Sequence, residues 1–112
     1  MGLFRRNKNT NKPVIRQIID LIPAHLLRRA IQTHHTDKYC HKYKTYDQLV
    51  ALLFGQLCRC STLDDISVGI GASKTFIRDL GLEQSPAKST MSDGNKNRDY
   101  KVFENLYMSL LN

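Results

Sequence analysis

The spacing of apolar residues constrains the fold of this chain more than any other feature of its sequence. Apolar residues recur three or four positions apart, as they do between Val14 and Ile22, and this is the period of an amphipathic helix. Between Leu49 and Cys58 they are dense enough to cover more than half of a helix, which is typical of a helix at the centre of a core. Alternation of apolar and polar residues never persists for the length of a strand. The sequence therefore predicts an all-α fold, a compact bundle of about six short helices.

The chain divides into a basic arm and one domain. Residues 1–12 are polar, basic and rich in Asn, a composition that predicts a flexible arm. The helical pattern then runs from residue 13 to residue 112, which suits a single domain because domains cluster near ~100–150 residues. Glycines predict helix ends, with positive φ expected at Gly71, a C-cap at Gly81 and a weakened helix at Gly94. Polar residues predict helix starts at Thr45, at Ser61 with Asp64 or Thr62 with Asp65, at Ser89 and at Asp99.

Basic residues are concentrated in the first two-fifths of the chain. The net charge is +7, but residues 1–44 hold ten Lys and Arg against two Asp, a net +8, and the remainder is nearly neutral at −1. Such an asymmetry indicates a polyanionic partner, with nucleic acid favoured over an anionic membrane surface. The alternative is a solvated basic surface that has no partner and serves solubility alone.

The sequence carries no signal for export or membrane insertion. Its longest apolar run, Leu49–Phe54, has six residues, against the ~20 that cross a bilayer. The first residues lead into a polar stretch rather than the apolar region of a secretory signal. Three cysteines are an odd number, and without a secretory context we expect reduced thiols. We therefore predict a cytoplasmic protein without a membrane partner.

Residues 63–82 have the layout of a helix-turn-helix. Apolar residues on two short helices would face inward, with a turn at Gly71 between them. A recognition helix needs this arrangement, because its inner side packs while its outer side enters the major groove. On the outer side we predict phosphate contacts from Lys74 and Thr75 and a guanine contact from Arg78. Two short helices joined by a glycine turn also occur in helical domains that do not touch DNA.

A second segment, residues 85–98, is rich in groups that can contact phosphates or bases. Its predicted DNA-binding residues are Lys88, Ser89, Thr90, Asn95, Lys96 and Arg98. Ser89 and Thr90 would lie at a helix start, where free N–H groups and the helix dipole favour an anion. The alternative is a solvated, capped helix. In the basic arm the predicted phosphate contacts are Arg5, Arg6, Lys8 and Lys12.

Histidines and cysteines do not form a recognised metal or nucleophile motif. Structural zinc prefers two close ligand pairs, whereas Cys58 and Cys60 are separated by a single residue. Cys40 and His41 are adjacent in sequence, so their side chains need not meet as a nucleophile and its base. We predict neither a metal nor a cofactor.

Three motifs carry a resemblance to a known family. They are Thr62-Leu-Asp-Asp-Ile66, Leu80-Gly-Leu82 and Lys88-Ser-Thr-Met-Ser-Asp-Gly-Asn-Lys-Asn-Arg-Asp99. Together they resemble the amino-terminal domain, a domain of unknown function, of bacterial insertion-sequence DDE transposases. The likeness extends from about residue 13 to residue 107. In that family the domain precedes an RNase H-like catalytic domain that carries the DDE triad.

The resemblance implies a DNA-binding accessory domain that recognises transposon ends. It does not imply catalysis, because strand transfer needs carboxylates that hold two metal ions ~3.5–4 Å apart. The acids of this chain fall at predicted caps or on helix surfaces, and we therefore expect no enzymatic activity. The departure from the family is the missing catalytic domain, which implies a truncated transposase, a decayed gene or one reading frame of a split element.

Two other functions are compatible with the residues. One is a non-catalytic interaction or oligomerisation module, in which the last helix pairs with a full-length transposase or with a second copy. The apolar residues that would do so are Phe103, Leu106, Tyr107 and Leu110. The other is a stand-alone DNA-binding regulator of the element.

Overall fold

The computed structural model describes residues 12–111. Seven α-helices and no strand lie in this range, so the all-α prediction is confirmed. The helices are α1 (Val14–Asp20), α2 (Ala24–His34), α3 (Thr45–Leu57), α4 (Leu63–Ile70), α5 (Lys74–Asp79), α6 (Lys88–Asn97) and α7 (Lys101–Leu111). Most of the predicted basic arm, including Arg5, Arg6 and Lys8, lies outside the described residues.

Two hydrophobic clusters form the core, and α3 contributes to both. The larger cluster includes Val50, Ala51 and Phe54 of α3 and takes its other members from α1, α4, α5, α6 and the segment after α5. The smaller cluster joins Leu49 of α3 to Ala30 of α2 and to Val102 and Leu106 of α7. Because α3 faces two clusters, it needs apolar side chains on most of its circumference. The prediction of a central helix is confirmed.

Helices α3 and α4 come close together because Gly69 has no side chain. A Cβ atom at Gly69 would lie 2.6 Å from Cε1 of Phe54, closer than packed carbons can come. The Phe54 ring is buried here and also faces the ring of Phe76, with 6.0 Å between the two centroids. This aromatic pair joins α3 to α5 and positions the α4–α5 unit on the core.

The predicted helix starts at Thr62 and Asp99 are confirmed, whereas those at Thr45 and Ser89 are wrong. Thr62 Oγ1 accepts a hydrogen bond of 3.1 Å from the Asp65 N–H at the start of α4, and Asp99 Oδ1 accepts one of 3.0 Å from Lys101. The N-cap of α3 is Lys44 rather than Thr45. The Thr45 hydroxyl is not available as a cap because it is buried 2.7 Å from Oγ1 of Thr36 and 2.7 Å from Oδ1 of Asp37.

The expectations for Ser89 and Gly71 are also corrected, and Gly94 has a packing role that the sequence did not indicate. Helix α6 begins one residue before Ser89, with Ala87 as N-cap, because the Met91 N–H already donates to the Ala87 carbonyl at 3.0 Å. Gly94 lies inside α6 and makes room for an aromatic ring, since a Cβ there would lie 2.6 Å from Cε2 of Tyr43. Gly71 has a φ of −76°, because its N–H continues the α4 ladder by donating to the Ser67 carbonyl at 3.0 Å.

Gly81, as predicted, follows the end of α5 with a positive φ of 80°. Two side chains from other helices close the turn before it. Arg16 Nη1 of α1 donates to the Asp79 carbonyl at 3.2 Å, and the Tyr46 hydroxyl of α3 donates to the Leu80 carbonyl at 2.7 Å. A Cβ at Gly81 would lie 2.9 Å from Arg16 Nη1 and 3.2 Å from the Tyr46 oxygen. The turn therefore requires glycine for two reasons. Its φ is positive, and a side chain would collide with Arg16 and Tyr46.

We expect Gly81→Ala to lower the free energy of unfolding by about 2 kcal/mol, because left-handed backbone costs an L-residue about 1–2 kcal/mol and the two bonding side chains must also shift. Urea unfolding followed by circular dichroism measures this change. Gly71→Ala is the control at negative φ. Its Cβ would lie 3.0 Å from the Ser67 carbonyl oxygen, and we expect it to cost about 1 kcal/mol, less than Gly81→Ala. Equal effects of the two substitutions would contradict the role assigned to Gly81.

Candidate nucleic-acid interface

Helices α4 and α5 provide the order of elements that a helix-turn-helix requires. They are joined by three residues, 71–73, and Ser73 Oγ caps α5 by accepting the Phe76 N–H at 3.0 Å. Ile66 and Ile70 of α4 and Phe76 of α5 are buried in the larger cluster. Helix α5 has only six residues and is therefore less than two turns long.

The three predicted DNA-binding residues of α5 are all exposed. Lys74, Thr75 and Arg78 have solvent-facing side chains, whereas Phe76 between them is 5% exposed. None of the three makes an ion pair within the described residues. The buried Phe76 holds the short helix to the core while two cations and a hydroxyl remain available to a ligand.

The predicted residues of α6 divide between two environments. Lys88, Ser89 and Lys96 are exposed, and Thr90 is half-buried in the first turn. No side chain caps this helix. Thr90 lines a polar depression of about 480 Å³ that also contains two acids, Asp47 and Glu83, together with His41, Lys42 and Lys44. Sequence reasoning did not select these last three residues, although the cluster of basic residues between positions 38 and 44 is visible in the sequence.

Asn95 and Arg98, in contrast, bond within the protein. Asn95 Oδ1 accepts a hydrogen bond from Gln48 Nε2 at 2.9 Å. The Arg98 guanidinium donates to the Gln48 side-chain oxygen at 2.7 Å, to the Thr36 carbonyl at 3.3 Å and to the Tyr43 carbonyl. It thereby joins the segment between α2 and α3 to the end of α6.

Two further contacts hold the Arg98 guanidinium. Its Nη2 also donates to the Cys40 sulfur at 3.4 Å, and its central carbon lies 5.5 Å from the centroid of the Tyr43 ring. Burial raises the pKa of Tyr43 to about 12, although the nearby charge of Arg98 acts in the opposite direction. A guanidinium with this many internal acceptors is better suited to stabilising the fold than to reading a base.

Lys12 is paired with an acid. Its Nζ lies 3.0 Å from Oδ2 of Asp20, whose Oδ1 accepts a hydrogen bond of 2.9 Å from Arg16 Nε. Partial burial tends to raise the pKa of Asp20, but the hydrogen bonds and charges of Lys12 and Arg16 outweigh it and lower the pKa. Any stability gained from this pairing is therefore present above the usual Asp pKa and lost as the pH falls below it.

Helix α2 carries cations that sequence reasoning did not select as site residues. Arg28 and Arg29 are exposed on its outer side, beside the exposed side chain of His25. The sequence alone could have indicated this basic face, because α2 contains no acid that would offset its arginines. A helix face of this kind attracts phosphate without reading sequence.

Other chemistry is not suggested by the described residues. Within residues 12–111 no group of three or more His, Cys, Asp or Glu side chains is arranged to hold a metal ion. Burial raises the pKa of the Cys58 and Cys60 thiols, which disfavours their thiolate forms. No helix between residues 12 and 111 is both long and apolar enough to span a bilayer.

Comparison with known proteins identifies a family but not an activity. A family model described as a domain of unknown function (DUF4372) matches residues 10–83. The matched range includes α4 and α5 but ends before α6, so it does not include the Lys88–Asp99 motif. No curated protein and no solved structure matches the chain significantly. Because the matched range is about two thirds of the sequence, the chain belongs to the DUF4372 family.

Proposed function

We propose that this chain is a DNA-binding accessory domain of the insertion-sequence transposase lineage, and that it recognises DNA of the transposon ends. The observation that carries the proposal is the outer face of α5, where Lys74, Thr75 and Arg78 are exposed while Phe76 anchors the helix to the core. A recognition helix needs one side packed and the other free for the major groove. The proposal includes no catalytic step.

Each residue of this face has a distinct role in the proposal. Arg78 presents a planar fork of donors that matches the O6 and N7 acceptors of guanine. Lys74 and Thr75 contact phosphates beside the groove and set the register of the helix. Since α5 is short, these contacts alone bury little surface, and other cations must supply much of the affinity.

The additional affinity in this proposal comes from exposed cations on other elements. They are Arg28 and Arg29 of α2, Lys42 and Lys44 before α3, and Lys88 and Lys96 of α6. Arg98 takes no part because its guanidinium is bonded within the protein, and the Oδ1 of Asn95 is already occupied by Gln48. Lys12 contributes only if DNA competes with Asp20 for its ammonium group.

Duplex-DNA binding by the purified chain at several salt concentrations tests the proposal. We expect the affinity to fall linearly on a log–log plot, with a slope near −0.9 for each phosphate neutralised. Selection from a random-sequence pool then identifies a preferred site. An absence of binding at low salt would overturn the proposal for this chain.

We expect Arg78→Ala to weaken binding to the preferred site by about 1–3 kcal/mol, because the loss of a bidentate guanine contact removes discrimination. Fluorescence anisotropy with the preferred duplex and a scrambled duplex measures the change. Lys101→Ala is the charge-matched control, since Lys101 is an exposed cation of α7 that lies beside His34 rather than α5. Equal losses on both duplexes would assign Arg78 to phosphate instead of a base.

A further inference from the structure

An apolar groove lies where the two hydrophobic clusters meet. It has a volume of about 400 Å³ and is bordered by α1, α2 and α3. Ile19 on its wall belongs to the larger cluster, whereas Ile22, Leu27 and Ile31 pack against the smaller one. The volume and the apolar lining are those of a site that accepts apolar groups.

The rim of this groove is positively charged. Arg16, Asp20 and Arg28 line it, and the single acid is already bonded to both Lys12 and Arg16. Arg28 is exposed and has no ion pair within residues 12–111. An occupant of this groove should therefore combine apolar side chains with an acidic one.

Helix α7 presents a stripe with that composition. Tyr107, Met108 and Leu111 are 60%, 54% and 62% exposed, and with the exposed Glu104 they occupy positions i, i+3, i+4 and i+7 of one helix face. This is the spacing by which an amphipathic helix anchors in a groove. The opposite side of α7, at Val102 and Leu106, is buried in the smaller cluster.

Helix α7 cannot readily reach the groove of its own chain. It packs along α2, and α2 directs Ala30 towards α7 while Leu27 and Ile31 line the groove. To fill the groove of the same chain, α7 would have to leave the cluster that buries Val102 and Leu106. An α7 helix that occupies the groove must therefore come from another molecule.

We propose that the groove between α1, α2 and α3 binds the exposed stripe of α7 from a second copy of this chain, with Glu104 of one copy facing Arg28 of the other. In a two-fold dimer the contact occurs twice, because each copy supplies both a stripe and a groove. The inference goes beyond the proposed DNA binding and does not depend on it.

Sedimentation equilibrium of the full 112-residue chain without DNA tests the proposal. We expect a monomer–dimer equilibrium that Met108→Lys and Ala24→Trp each shift at least about tenfold towards monomer. The first places a positive charge against the positive rim of the groove, and the second fills the groove. Met108 and Ala24 are both exposed, so neither substitution should disturb the fold, and circular dichroism checks this. A monomer up to near-millimolar concentration would overturn the proposal.

A charge exchange identifies the partners within the contact. We expect Arg28→Glu and Glu104→Arg each to raise the dimer dissociation constant at least about fivefold, and the double variant to recover most of the loss, because rim charges act mainly by excluding a like charge. A dimer unaffected by Arg28→Glu would show that α7 pairs with another surface, such as a second α7, and would also overturn the proposal.

Discussion

Replacing Arg98 with Met is expected to lower the free energy of unfolding by about 2–4 kcal/mol. Hydrogen bonds from a charged donor are each worth about 1.5–3 kcal/mol, and their loss leaves buried and half-buried acceptors with fewer partners. The affected acceptors are the carbonyls of Thr36 and Tyr43 and the side-chain oxygen of Gln48. Chemical unfolding measures the change. Arg98→Lys should recover less than half of the loss, since an ammonium group cannot replace the planar fork.

The matched control for this prediction is Lys96→Met. Lys96 lies two positions earlier on α6 and is exposed, so its replacement removes the same charge with a stability change of less than about 0.5 kcal/mol. If Arg98→Met kept full stability and lost DNA affinity, the guanidinium would be a DNA contact after all. That result would reverse the assignment made from its internal bonds.

Replacing Phe54 with Ala should cost about 3–5 kcal/mol of stability, which is the range for large-to-small substitutions of a buried aromatic residue. Phe54 is 2% exposed and contacts both α4 and α5, through Gly69 and Phe76. The structure can collapse only partly into the space left by the ring, because residues of the larger cluster from several helices surround it. Since a domain has only about 5–15 kcal/mol of net stability, the loss is a large part of the total.

Leu52→Ala on the same helix is the control. Leu52 is 41% exposed, and we expect its truncation to cost less than about 1 kcal/mol, since little buried area is lost. Thermal and urea unfolding of both variants measure the two values. Similar costs would mean that the core does not centre on Phe54. A folded Phe54→Ala protein should also bind DNA less well under the proposed function, because the ring positions α5.

Local chemistry accounts for the predictions that succeeded. The all-α class, the central position of α3, the Thr62 cap and the Gly81 turn each depend on residues within one or two helical turns of one another. The two wrong caps depended on distant residues or on competing local bonds. The Thr45 hydroxyl is bonded to Thr36 and Asp37 across the loop before α3, and α6 starts before Ser89 because Ala87 already accepts the first backbone bond.

The predicted DNA-binding residues also divide into those that local spacing could assign and those that it could not. Lys74, Thr75 and Arg78 could be assigned to an outer face from helical spacing alone, and they are exposed. Helical spacing could not assign Arg98, because its acceptors lie 62, 55 and 50 positions away at Thr36, Tyr43 and Gln48. From the sequence alone, Arg98 cannot be distinguished from the other cations of the polar segment 85–98.

By itself, the sequence determined the helical class, the positions of most helices and the excess of positive charge near the amino terminus, since these follow from local spacing and composition. Only the tertiary structure decided which cations face solvent and which hold the fold together. It alone showed that the apolar side chains of α1, α2 and α3 leave a groove while a stripe of α7 stays uncovered. The physical reason is that burial and hydrogen bonding depend on residues that are far apart in the chain and adjacent only after the helices pack.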